Sequence, residues 1–101
     1  GKGKVYLMMK KKFKDALVKK LSGEINHQVA CEITEGGVQL FQLISLCDVR
    51  TLDDTLMLMG EEDGEFHFHF NNFDQCQIYE DVDSLMNYEM SNSCVTIRFI
   101  F

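Results

Sequence analysis

Asp81-Val82-Asp83-Ser84-Leu85-Met86-Asn87-Tyr88-Glu89-Met90 (DVDSLMNYEM) is the stretch on which the fold class turns. Val82, Leu85, Met86 and Met90 recur at i, i+3, i+4 and i+8, the spacing of one face of an α-helix. Glu80, Asp81 and Asp83 crowd its beginning, where the positive end of a helix dipole favours carboxylates. The spacing predicts a helix that opens at Asp81 or a neighbour and is broken by Ser91-Asn92-Ser93. A second helical layer over the sheet depends on this reading.

To its C-terminal side, Cys94–Phe101 (CVTIRFIF) reads as a strand with Val95, Ile97, Phe99 and Phe101 on one face. To its N-terminal side, Phe73–Tyr79 reads as a strand, preceded by an Asn71-Asn72 turn signal. Glu65–Phe70 (EFHFHF) alternates, with Phe66, Phe68 and Phe70 pointing one way and Glu65, His67 and His69 the other. For Asp48–Met59 two readings stand. A weak cap at Thr51/Asp54 with Leu52, Leu56 and Met59 as a stripe would make a helix. Thr55–Met59 would otherwise be a strand, joined through Glu61-Glu62-Asp63-Gly64 to the next one. The hairpin is preferred, because its second arm is plainly a strand.

Further back, Val38–Cys47 is apolar on both faces, which predicts a central strand covered on both sides. Gly36-Gly37 supplies the positive φ of a hairpin turn. Ile25–Thr34 alternates as a strand. Phe13, Ala16, Leu17 and Leu21 mark one face of a helix that Gly23 stops, with Lys11, Asp15 and Lys19 four apart on the opposite face. Lys4–Met9 reads as a short strand. The sum is an α+β two-layer sandwich: a mainly antiparallel sheet of five or six strands, covered on one face by two amphipathic helices.

A chain of 101 residues, 46% of them apolar, is read as one domain over residues 1–101 with its own core. Gly1 in place of an initiator Met, and an apolar C-terminal strand, suggest a piece of a longer protein. No apolar run approaches the ~18–20 residues that span a bilayer, so no membrane partner is expected. Cys31, Cys47, Cys76 and Cys94 form no C-x-x-C pair and sit in apolar or alternating segments. They are read as reduced, buried small hydrophobes in a cytoplasmic compartment, the nucleus included, the alternative being two disulfides in an exported protein with three possible pairings.

Charge is divided along the chain. Eight lysines against Asp15 give the first twenty residues +7; fifteen acids against Arg50 and Arg98 give the remainder −13. Such asymmetry is an argument about partners rather than about fold. The basic candidates are Lys10, Lys11, Lys12, Lys14 and Lys19, and the acidic ones Glu61, Glu62, Asp63, Glu80, Asp81 and Asp83. They point to a non-enzymatic protein-binding module, of inhibitor, immunity-protein or adaptor type, that meets a basic partner or a second copy head to tail.

Two other classes compete. His67 and His69, two apart on a strand, share a face with Glu65 and can chelate a transition metal. The lysine cluster can attract phosphate, although the acidic remainder opposes a polyanion. No nucleophile elbow, phosphate loop or calcium loop is present, and no cofactor is expected.

Overall fold

A computed structural model of the chain describes residues 5–7 and 9–101. Its elements are β1 (Val5–Leu7), α1 (Lys10–Ser22), β2 (Gln28–Glu35), β3 (Val38–Leu52), β4 (Thr55–Gly60), β5 (Gly64–His69), β6 (Gln75–Glu80), β7 (Met86–Ser91) and β8 (Val95–Ile100). A single 3-10 turn, Phe70–Asn72, joins β5 to β6. The strands form one antiparallel sheet in the order β1-β6-β7-β8-β2-β3-β4-β5.

This corrects the two-layer sandwich. Among the described residues there is one α-helix, and the sheet has eight strands rather than five or six. Residues 81–90 are a turn followed by a strand. The Asp81 carboxylate accepts hydrogen bonds from the backbone N–H of Asp83 (2.9 Å) and Leu85 (3.0 Å) and from the Asn87 side-chain amide (2.9 Å). Ser84 takes φ 63°, outside the right-handed helical region. A residue that suits a helix N-terminus thus caps a turn instead. Met86–Ser91 then pairs with β6 on one side and β8 on the other. Two ladders and a buried Met90 outweigh a short helix that would be marginal by itself. Val82, at 80% exposure, never reaches the core that the helical stripe assumed.

The sheet curls strongly. β5 and β6 are six positions apart in strand order, which laid flat would separate them by ~29 Å. The chain covers the step from His69 to Gln75 in six residues, a reach of at most ~21 Å. Phe68 of β5 also meets Phe99 of β8 edge to face at 5.3 Å, although three strands lie between them in the sheet. β3 makes much of the bend. Its 15 residues would span ~50 Å if straight, against a largest molecular extent of 34 Å. A register shift between Leu46 and Asp48 relieves it. Residues before the shift pair with β2 and residues after it pair with β4.

The expected helical stripe is borne out in α1: Phe13, Leu17 and Leu21 are fully buried. They enter one core with Ile44, Leu46, Leu56, Leu58, Met90 and Phe99 on the concave side of the sheet. The preferred hairpin reading of Thr55–Met59 also holds, as β4 and β5. Val38–Cys47 does not match its expectation as a doubly covered strand. Val38, Leu40, Phe41 and Leu43 are exposed, because the bend carries β4 away from the first half of β3.

Candidate functional site: two charged ends of one sheet

The strand register sorts the loops into two ends. Asn87, Ile100, Ala30 and Leu43 form one cross-strand row through β7, β8, β2 and β3. At the β3 end of that row, Ser45 donates its N–H to the Asp63 carboxylate (2.9 Å) and accepts from the Glu61 N–H (2.8 Å). At its other end, the Asn87 amide holds Asp81. The β4–β5 turn with Glu61, Glu62 and Asp63 therefore lies at the same end of the sheet as the β6–β7 turn with Glu80, Asp81 and Asp83. The helix finishes there too. Lys20 sits over the Phe101 ring at 5.3 Å, and the Asn26 N–H bonds the Leu46 carbonyl at 2.7 Å.

The six carboxylates make no ion pair with any lysine, arginine or histidine among the described residues, and all except Asp81 are exposed. Asp81 differs in role. Hydrogen bonds from the Asn87 side chain and from the Leu85 and Asp83 N–H groups hold its carboxyl below the usual Asp value. It builds its turn, and the neighbouring Glu80 and Asp83 carry the accessible charge.

At the opposite end stand the helix start, the β3–β4 turn and the 3-10 turn. Lys14 donates to the Asp53 backbone carbonyl and lies 5.6 Å from the centre of the Phe70 ring. Lys10, Lys11, Lys14, Asp54 and Phe70 line an open depression of about 330 Å³. Lys11 pairs with Asp15 within the helix (3.7 Å), and Lys20 with Glu24 just after it (3.8 Å). No helix lysine forms an ion pair with a carboxylate on the sheet among the described residues. The five basic candidates are not one patch, however. Lys19 lies near the helix C-terminus and lines a second depression of about 460 Å³ with Lys20, Glu24 and Tyr88. Lys2 and Lys4 lie outside the described residues.

Glu65, His67 and His69 share the convex face of β5 as expected, but they diverge. His67 Nε2 is 3.0 Å from the Glu65 carboxylate, while His69 Nδ1 is 3.0 Å from the Thr55 hydroxyl. Among the described residues no group of three His, Cys, Asp or Glu side chains is placed to hold a metal ion. All four cysteines are free thiols; Cys31 and Cys76 are buried as expected, but Cys47 and Cys94 are exposed.

One feature escaped the sequence reading. Gln77, Glu89, Arg98 and Glu32 form a row across β6, β7, β8 and β2 on the convex face. Arg98 bonds Glu32 and, at 3.1 Å, the Tyr79 hydroxyl; Gln77 bonds Glu89. Tyr79 raises the Arg98 pKa further, its hydrogen bond outweighing burial, so the guanidinium stays charged. The signal was present as the lone cation of an apolar strand, but its bonded partners come from two other strands, β2 and β6. The row ends against Phe41, the neighbour of Glu32 on β3.

The chain matches no protein-family model, no curated protein and no solved structure.

Proposed function

We propose that the chain is a non-enzymatic protein-binding module of inhibitor or adaptor type, whose acidic end docks a basic surface of its partner. The observation that supports this is the gathering of two acidic turns, without counter-ions among the described residues, at one end of the sheet. Exposed carboxylates on tight turns lose little hydration until a partner arrives, and their summed field accelerates encounter with a cationic surface. The turns are held rigid by the Ser45–Asp63 bond and by the bonds of Asp81, so little ordering entropy is left to lose on docking. A reducing compartment suits the two exposed thiols, Cys47 and Cys94.

The test is fluorescence anisotropy with a labelled Lys/Arg-rich peptide. Combined reversal at Glu61→Lys, Glu62→Lys and Asp83→Lys should weaken binding at least about tenfold. Asp81 is spared because it builds its turn. Glu35→Lys, in the β2–β3 turn at the other end, should leave binding nearly unchanged. Equal losses from both variants, or none from either, would defeat the proposal.

A further inference from the structure

The first half of β3 is an open sheet edge. Among the described residues, Val38–Ile44 pairs with β2 on one side and with no strand on the other. The polarity of that edge follows from the hairpin that opens it. Gly36 and Gly37, at φ 57° and 80°, form a two-residue turn between the partners Glu35 and Val38. The flanking pair of such a turn is hydrogen-bonded, so Val38, Leu40, Gln42 and Ile44 direct their backbone groups at β2. Gln39, Phe41 and Leu43 direct theirs outward. Ser45, the next residue in that series, confirms the alternation, since both its N–H and its carbonyl are taken by the β4–β5 turn.

Natural sheets blunt such edges with lysine, proline, a bulge or a covering loop. Among the described residues none of these protects Val38–Ile44. The chain has no proline and no lysine beyond Lys20, and the register shift comes later, after Leu46. The segment is instead Val-Gln-Leu-Phe-Gln-Leu-Ile, with no charged side chain.

We propose that this edge pairs with the same edge of a second copy of the chain, antiparallel about a twofold axis at Phe41. Three observations favour a second copy over a foreign strand. The first is symmetry. An axis at Phe41 sets Phe41 against Phe41 and Gln39 against Leu43, so the three outward residues of each copy meet one another and six backbone hydrogen bonds close. It also sets Val38 against Ile44 and Leu40 against Gln42, with no clash of charge.

The second is charge. A chain of net −6 repels its copies unless they meet where the surface is neutral. The strand carries no charge, and beside it Glu32 is neutralised by Arg98. The third is area. Val38, Leu40, Phe41 and Leu43 are 67, 55, 58 and 47% exposed. Together they present about 400 Å² of apolar surface, roughly half of what each partner gives to a standard interface. An interface of this size belongs to the weak, transient class.

The contact does not rest on the proposed docking of a basic partner; it brings the β2–β3 turn of each copy beside the Glu61–Asp63 turn that Ser45 holds on the other, a repulsion that salt screens. Sedimentation equilibrium from about 5 to 500 μM should show a monomer–dimer equilibrium that stops at two and does not weaken with added salt. Phe41→Lys places like charges on the axis and should raise Kd more than tenfold; far-UV circular dichroism reports whether the variant folds. Hydrogen exchange gives a second reading on the unmodified chain. The Gln39, Phe41 and Leu43 amides should become protected as concentration rises, with Val38, Leu40 and Gln42 unchanged. A wild type that remains monomeric at 500 μM overturns the proposal. So does growth beyond dimers, a salt-sensitive association of the head-to-tail kind, or concentration-independent exchange at the three amides.

Discussion

The four thiols divide by where the sheet places them. Cys31 lies on the concave face between Gln42 and Phe99, and burial pushes its thiol up to about 12. Burial also raises Cys76, partly offset by Lys10. Cys47 and Cys94 are exposed. Because the thiolate is the reacting species, iodoacetamide at about pH 8 should label Cys47 and Cys94 in the native protein and leave Cys31 untouched until denaturant is added. Peptide mapping by mass spectrometry reads the order, and early labelling of Cys31 would contradict the packing.

Asp81 gives a pH signature at the same scale. Its carboxyl is held below the ordinary 3.8, first by the Asn87 amide. A depressed carboxylate adds stability that is present above the unfolded value and lost as pH falls through the folded one. Thermal melts between about pH 5 and pH 2 should therefore fall less steeply for Asp81→Asn than for wild type. Parallel curves would show that Asp81 does not couple its turn to folding.

Among the elements, α1 is the one whose ends and stripe are least well matched. Its buried face was legible because Phe13, Leu17 and Leu21 repeat at four-residue spacing and Gly23 follows as a stop. Its start is poorly made: Met9 precedes it with no side-chain cap, and Lys10, Lys11 and Lys12 face the positive end of the dipole without an acid in the first turn. Met9 is 73% exposed, so replacing it costs no core packing. Met9→Asp should stabilise the fold by about 1 kcal/mol, a rise of roughly 4–8 °C in Tm by circular dichroism. No rise would mean that the observed start of α1 is not its start in solution.

β7 shows the opposite case. The four apolar residues at helical spacing that led into it, Val82, Leu85, Met86 and Met90, have the same i, i+3, i+4, i+8 spacing as the stripe of α1, so spacing alone could not exclude a strand, and pairing with β6 and β8 decided the matter. β3 was legible as a strand, but the bend that strips cover from its first half was not. A straight apolar strand and a bent one have the same composition.

For the whole molecule, the distribution of charge carries a stability consequence. The exposed members of the six carboxylates at one end repel each other in the folded state more than in the unfolded chain. At about 10 mM salt the Debye length is ~30 Å and at 150 mM ~8 Å, so Tm at neutral pH should rise between these conditions. Glu62→Lys should raise Tm at low salt and flatten the salt dependence. A Tm that falls with salt would indicate that attractive pairs across the molecule dominate instead.

From the residues alone came α1 with its buried face, the hairpins at Gly36-Gly37 and at Glu61–Gly64, the alternation of β5 and the division of charge along the chain. These are local or additive properties: periodicity, turn chemistry and a sum of charges depend on near neighbours only. Only the tertiary structure decided that residues 86–91 form a strand, that the sheet curls until Phe68 meets Phe99, that two acidic turns 20 residues apart share one end, and that among the described residues Val38–Ile44 pairs with a strand on one edge only. Each of those depends on which strand lies beside which, and strand pairing is a contact between residues far apart in sequence that no local pattern encodes.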